Sequence, residues 1–229
     1  AMGVKQTGLT LGGVAGALTL PALALAHGWR VALTVAAAAS PVAGATVLVW
    51  LRPGGAHRAA AREDRPRLAE VGPFLAHRPF LVLLGGGLAL WVAQSSVLAY
   101  MALYARETLG MGVVAAGGLL ALAQTGGTGG SLGWGIVSAR LFGGRRRPGI
   151  IINAGIGGTI YLVFASGLPL PGPAAAALAV VAGIGAFGWV GLYFALAAEV
   201  GGSRFAGLLT GVAGACAWSG VLVGPPLFG

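Results

Sequence analysis

The stretch Gly133-Trp134-Gly135-Ile136-Val137-Ser138-Ala139-Arg140-Leu141-Phe142-Gly143-Gly144-Arg145-Arg146-Arg147-Pro148 decides the fold of this chain. A long apolar run leads into it and another follows it, and four arginines lie between them within eight residues. An arginine near the middle of a bilayer costs about 2.5–3.5 kcal/mol, so this turn must lie outside the hydrocarbon. Short loops rich in Lys and Arg stay in the cytoplasm, and this turn therefore predicts the side of every other loop.

The composition excludes a soluble protein. Of the 229 residues, 57% are hydrophobic and 8% are charged, whereas a soluble domain carries about 25% charged residues. The net charge of +9 would suggest nucleic acid in a soluble chain, but here the charges are confined to loops. We therefore expect the lipid bilayer, and no nucleic acid, as a partner.

Long uncharged runs predict an all-α integral membrane fold with seven transmembrane helices. A helix needs about 20 apolar residues to cross a bilayer, and these runs lack the alternation of a β-barrel strand. Seven runs are free of Asp, Glu, Lys and Arg, namely 8–26, 31–51, 80–104, 113–137, 150–167, 174–198 and 207–228.

Counting cations by alternate loops predicts the topology. Of the 14 Lys and Arg residues, only Arg30 and Arg106 fall on one side, and the others share the opposite side. This bias predicts a multi-pass protein of the cell inner (plasma) membrane, with its N-terminus in the cytoplasm and its C-terminus outside. The longest polar connection, 52–79, is then a cytoplasmic linker with a short interfacial helix around 62–71.

With the loops in place, the chain resembles the major facilitator superfamily of secondary transporters. The opening stretch is similar to a loop signature of that family, Gly-x-x-x-Asp-Arg followed by Gly and a basic pair. Ala139 stands where the family usually has Asp, and one residue is added before the basic pair. The matching positions are Gly135, Arg140, Gly143 or Gly144, Arg145 and Arg146.

Three further segments carry the resemblance. Residues 1–8, with Gly12-Gly13 and Pro21, resemble the start of the family's fifth helix, particularly in cyanate- and nitrate/nitrite-like branches. The stretch 27–30 resembles the outer turn that follows it. The cytoplasmic turn into the eleventh helix is matched by Glu199, Gly202, Arg204 and Gly207.

The resemblance implies that the seven spans are helices five to eleven of a twelve-helix protein. Residues 1–51 would hold the last two helices of the N-terminal half, 52–79 the linker, and 80–229 five helices of the C-terminal half. We therefore expect a fragment, completed by missing helices of the same polypeptide, four in front and one behind.

Polar and aromatic side chains at mid-membrane depth are the candidates for binding a solute, because each must find a partner there. Gln94 lies near the middle of the third span beside Trp91, and Gln124 at the centre of the fourth. Trp189 and Tyr193 lie one helical turn apart on the sixth span. The resemblance makes the third and sixth spans cavity-lining helices and predicts that these five residues bind a small polar or anionic solute. Alternatively, the glutamines bond to neighbouring helices, each bond contributing about 0.6–2 kcal/mol.

Small residues predict a contact between the first and fourth spans, because the family pairs helices five and eight across its domain interface. We expect their glycine faces to meet there. These glycines are Gly12, Gly13 and Gly16 on the first span and Gly126, Gly127, Gly129, Gly130 and Gly133 on the fourth.

Other chemistry is not supported by the sequence. The stretch 183–188 has dinucleotide-binding spacing but lies within a span, and His27, His57 and His77 lack metal-ligand spacing. We therefore predict no cofactor, no metal and no enzymatic activity. The remaining alternatives are a self-contained seven-helix receptor or sensor and a non-transporting membrane subunit.

Overall fold

The computed structural model describes residues 2–50, 70, 72–168 and 170–228, and all regular structure among them is helical. The predicted all-α membrane fold is thereby confirmed. The helices, numbered in chain order, are α1 (Met2–His27), α2 (Trp29–Trp50), α3 (Gly72–Leu75), α4 (Arg78–Glu107), α5 (Val113–Arg140), α6 (Arg147–Ala165), α7 (Gly172–Phe187) and α8 (Val190–Phe228).

The helices follow from the apolar runs, because lipid offers no partners for backbone N–H and C=O groups and a helix satisfies them internally. Within the described part of the chain, five stretches are long and apolar enough to cross a membrane, which makes this a multi-pass membrane protein. They are Gln6–His27, Trp29–Trp50, Arg78–Glu107, Arg147–Ala165 and Gly172–Leu227.

One of the predicted runs is absent from these five stretches, and two others share the last stretch. The fourth run forms α5, which is less apolar because it carries Gln124, Thr125 and Thr128 among its glycines. The sixth run forms α7 and the first arm of α8, and the seventh run forms the second arm. The expected turn between them lies at Gly202, where the chain reverses, so that Tyr193 in the first arm donates to the Ala213 carbonyl in the second at 3.0 Å. Gly202 adopts φ 59° and ψ −167°, a conformation open to glycine because it has no side chain.

The packing places α5 at the centre of the bundle. Helix α5 packs against α1 on one side and α7 on the other, while α4 packs along α8 and α6 along α7. Helix α2 packs against α1, and Ala32 is its only buried residue. The exposed indoles of Trp29 and Trp50 mark the two ends of α2, where interfacial aromatic residues belong.

Glycines set the close approach of α5 to its neighbours, and here the sequence prediction needs a correction. A Cβ on Gly13 would meet the carboxamide of Gln124, so α1 and α5 do touch through this glycine. The glycines at 126, 127 and 130 face α7 rather than α1, against Val180, Phe187 and Ile184 respectively. The predicted pairing of all these glycine faces across α1 and α5 is therefore wrong.

Ion pairs join the basic turns at one end of the bundle. Arg146 Nε lies 3.0 Å from Glu199 Oε1, and Arg204 Nη2 lies 3.6 Å from Glu70 Oε2. The cation count assigned the linker 52–79 and the turns at 140–147 and 199–206 to one side of the membrane. These ion pairs show that the three connections are neighbours in the fold. Most of the predicted linker 52–79, including all but Glu70 of the helix predicted around 62–71, lies outside the described residues.

Candidate functional site

A cavity of about 770 Å³ lies among α1, α4, α5 and α8. Its volume falls within the range of about 300–1,000 Å³ that small-molecule sites occupy. None of the described side chains that line it is ionisable. The lining residues are Gly8, Leu9, Gly12, Gly13, Trp91, Gln94, Ser95, Leu98, Ala99, Gln124, Phe187, Trp218, Val221 and Pro225.

Two glutamines bring unpaired polar atoms to this cavity. Gln94 on α4 is 1% exposed and Gln124 on α5 is 8% exposed. Among the described residues, neither carboxamide oxygen has a hydrogen-bond partner. Leaving such a buried group unpaired costs about 1–3 kcal/mol, so a ligand that bonded to these amides would recover that free energy. Both amides are therefore available to a bound molecule.

Gly13 positions the Gln124 carboxamide. A Cβ on this glycine would lie 2.6 Å from Gln124 Cδ, well inside the contact distance that real side chains keep. The amide therefore lies directly over the backbone of α1, at the contact between α1 and α5. Any larger residue at position 13 must displace Gln124 from this location.

Tryptophans form the aromatic part of the wall. Trp91 on α4 and Trp218 on α8 both line the cavity, with ring centroids 4.2 Å apart and planes tilted by 36°. The indole N–H of Trp91 is buried and has no hydrogen-bond partner among the described residues. The wall thus offers a free donor beside two aromatic faces.

Hydrogen bonds and small residues fix α4 against α8 at this wall. Ser95 Oγ lies 3.4 Å from the carbonyl oxygen of Gly220, and Tyr100 donates from its hydroxyl to the carbonyl of Pro225 at 2.7 Å. A Cβ on Gly220 would lie 2.8 Å from the Leu88 carbonyl oxygen, so only glycine allows this approach. These contacts hold the part of α4 that carries Gln94 against α8.

Trp189 and Tyr193, also predicted as binding residues, do not line this cavity. Their rings are 5.4 Å apart, as their one-turn spacing predicted, but both are buried in the core. Trp189 donates from Nε1 to the Ala186 carbonyl at 2.7 Å, and Tyr193 donates from its hydroxyl to the Ala213 carbonyl at 3.0 Å. The Trp189 ring meets Trp91 edge-on at 6.1 Å, so it supports the wall from behind.

Side chains also stabilise the break between α7 and α8, which lies at residues 188–189. Asn153 Nδ2 donates to the Gly185 carbonyl at 2.8 Å, and Ser131 Oγ donates to the Phe187 carbonyl at 3.2 Å. With the bond from Trp189, three consecutive carbonyls at the break accept hydrogen bonds from side chains. Phe187 itself lines the cavity, so the break shapes its inner end.

Comparison with known proteins identifies the family. The sequence model of the Major Facilitator Superfamily matches residues 1–225. The chain belongs to this superfamily. Its members are secondary transporters and are generally not enzymes. Neither the comparison with curated proteins nor that with solved structures gave a match.

Within this superfamily chain, sequence reasoning found part of the cavity wall and missed the rest. Trp91, Gln94 and Gln124 come together there. Trp218 and Phe187 were not predicted to line the cavity. The position of Trp218 near the middle of the seventh span was a signal that could have found it. Within the described ranges, no cluster of His, Cys, Asp and Glu could hold a metal ion.

Proposed function

We propose that this chain forms the solute-binding part of a secondary transporter that moves a small polar or anionic solute by alternating access. The observation that carries the proposal is the pair of unpaired carboxamides, Gln94 and Gln124, on different helices of one cavity. Because a carboxamide both donates and accepts hydrogen bonds, two of them select a polar solute by its pattern of donors and acceptors.

The chemistry of the wall narrows the kind of solute. None of the described side chains that line the cavity is ionisable, so hydrogen bonds and aromatic contact are the interactions that they offer a solute. The amide N–H groups and the Trp91 indole N–H can bond to the oxygen atoms of a neutral or anionic solute. We propose Trp91, Gln94 and Gln124 as the contacting residues, with Trp189 and Tyr193 holding the Trp91 ring in place.

Alternating access is supported by the contact between α1 and α5. This interface is built mostly of small groups: Thr10 and Ala17 on α1 face Thr128 and Gly117 on α5. The one longer side chain described there, Gln124, lies against Gly13. Small residues let two helix backbones slide or rock without interlocked large side chains. We propose that 1–51 and 80–229 belong to the two moving halves, and that 52–79 connects them.

The remaining details are proposed from the sequence. The cation bias supports a cytoplasmic N-terminus, an outer C-terminus and a location in the inner (plasma) membrane. Residues 1–8, with Gly12-Gly13 and Pro21, support a place in the cyanate- and nitrate/nitrite-like branch. Superfamily membership does not favour a self-contained receptor or a non-transporting subunit.

Intrinsic tryptophan fluorescence tests the proposed site, because Trp91 and Trp218 line the cavity. The family resemblance implies five further helices in a complete carrier, so binding is a more suitable readout than uptake for the 229-residue chain. We would titrate the purified chain with neutral polar solutes and with nitrate, nitrite and cyanate. We expect the fluorescence to change saturably with one class of solute. The affinity for that solute should be at least tenfold weaker in Gln94→Ala and in Gln124→Ala.

Thr125→Ala is the matched control, because Thr125 is exposed and donates to the carbonyl of Ala121 in its own helix. Its affinity should stay within twofold of the unsubstituted chain. Equal affinity in Gln94→Ala, Gln124→Ala and Thr125→Ala would contradict the proposed site.

A further inference from the structure

A second cavity, of about 470 Å³, lies on the outside of the bundle between the first turns of α4 and α6 and the first arm of α8. Its wall is mostly aliphatic, with Val82, Leu90, Ile151 and Leu196 among the lining residues. Val82 is 67% exposed and Ile151 is 71% exposed. Within the described part of the chain these side chains are uncovered, as aliphatic side chains that face lipid are.

Two arginines stand at the mouth of the groove. Arg78 and Arg147 both line it, and neither forms an ion pair with any described residue. The neighbouring Arg146, by contrast, is paired with Glu199. The groove therefore combines an aliphatic wall with two arginines at one end that form no ion pair with the described residues.

The same two arginines begin their helices. Arg78 is the first residue of α4 and Arg147 the first of α6, and each is followed by a proline. Neither helix N-terminus has a side-chain capping hydrogen bond. The positive ends of two helix dipoles therefore add to the guanidinium charges, and both favour an anion at this place.

We propose that this groove binds one anionic phospholipid. The phosphate lies between Arg78 and Arg147, and an acyl chain lies along Val82, Leu90 and Ile151 toward the middle of the membrane. The lipid is specified by its chemistry: its negative headgroup contacts the two arginines, and its hydrocarbon chain contacts the aliphatic wall. A soluble anion would satisfy only the first of these contacts.

The inner part of the groove shows where an acyl chain has room. A Cβ on Gly86 would meet no atom within 4 Å, so this position opens into the groove. Gly87, one residue further, is covered by the Tyr193 ring. A leucine at position 86 would consequently occupy the path of the chain without displacing protein atoms at its Cβ.

Native mass spectrometry of the delipidated 229-residue chain, titrated with dioleoylphosphatidylglycerol or dioleoylphosphatidylcholine, tests the proposal. We expect the first phosphatidylglycerol to bind at least tenfold more tightly than phosphatidylcholine. A basic residue near the surface contributes about fivefold to affinity for anionic lipid, so Arg78→Gln with Arg147→Gln should weaken phosphatidylglycerol binding about 30-fold. Gly86→Leu should weaken the binding of both lipids at least fivefold.

Two controls match these variants. Arg140→Gln removes an exposed arginine that lines neither cavity, and Gly85→Leu adds the same side chain at an exposed glycine outside the groove. Both should bind phosphatidylglycerol within twofold of the unsubstituted chain. If Gly86→Leu left binding unchanged while the arginine pair abolished it, the arginines would form only a surface anion site, and the proposal would be wrong. Glycerol 1-phosphate binding as tightly as phosphatidylglycerol would contradict it in the same way.

A measurement on the unsubstituted chain keeps the proposal testable even if a variant does not fold. A phosphatidylglycerol with a photoreactive group on its acyl chain should label α4 and α6 near Val82 and Ile151 after reconstitution into nanodiscs. Excess unlabelled phosphatidylglycerol should suppress that labelling. Labelling spread evenly over α2 and the other lipid-facing helices would overturn the proposal.

Discussion

Thr128 of α5 donates a hydrogen bond from its hydroxyl to the hydroxyl of Thr10 on α1, across 2.6 Å. Thr10 is 1% exposed and donates in turn to the Thr7 carbonyl at 3.2 Å. This chain of bonds lies next to the place where Gln124 meets Gly13. The interface between the proposed halves therefore contains both a polar link and one wall of the candidate site.

The first prediction concerns how closely α1 approaches α5. A Cβ on Gly117 would lie 2.6 Å from the Ala17 carbonyl oxygen and 2.9 Å from Pro21 Cγ, so Gly117→Ala must push the helices apart. We expect a loss of about 1–3 kcal/mol in the free energy of unfolding, as overpacking of well-packed interiors typically costs. Thermal unfolding in detergent measures this loss as a lower midpoint.

The control for that experiment is the adjacent glycine. A Cβ on Gly118 would meet nothing within 4 Å, and alanine is preferred to glycine inside a helix by about 0.5–1 kcal/mol. Gly118→Ala should therefore keep or raise the unfolding midpoint. Equal midpoints for the two variants would show that α1 and α5 do not touch at Gly117.

The second prediction concerns the break between α7 and α8. Asn153 is fully buried, and its amide group donates to the Gly185 carbonyl. Asn153→Ala removes this interhelical bond, which should cost about 0.6–2 kcal/mol. On the same helix, Thr159 is exposed and donates to the carbonyl of Gly155, so Thr159→Ala should change stability by less than about 0.5 kcal/mol. A smaller loss in Asn153→Ala than in Thr159→Ala would contradict this role.

The third prediction concerns the sides of the membrane. The cation count assigns Arg106 and Arg145 to opposite faces. On a Cys216→Ser background, an impermeant thiol reagent added outside whole cells should label Arg106→Cys and leave Arg145→Cys unlabelled. Permeabilising the cells should expose the second site. Labelling of both positions from outside would contradict the predicted threading.

The helices could be predicted from the sequence because charged residues are too costly within lipid. The charges therefore fall between the spans and mark where each span ends. Gln94 and Gln124 were identifiable for the same reason, since a polar group at mid-membrane depth needs a partner. The rotation of each helix about its axis was not predictable. Lipid is as apolar as a neighbouring helix, so hydropathy does not separate the face of Gly126 from that of Gly129, or show that Trp218 lines the cavity and Trp189 does not.

The break after Phe187 was also missed, for a related reason. Its stabilising bonds come from Ser131 on α5 and Asn153 on α6, which are distant in sequence. No local sequence pattern around Gly188 predicts these hydrogen bonds, and Gly188 itself has right-handed helical backbone angles. Only the packed arrangement of three helices shows why the chain stops its regular helix there.

The most direct test of the central claim is Gln94→Met, measured for both stability and solute binding. If Gln94 serves a solute, replacing its unpaired buried amide by an apolar side chain of similar length should keep or raise the unfolding midpoint without solute. The same substitution should weaken the solute affinity, measured by tryptophan fluorescence, at least tenfold. A lowered midpoint with unchanged solute binding would instead make Gln94 a structural residue and contradict the proposed site.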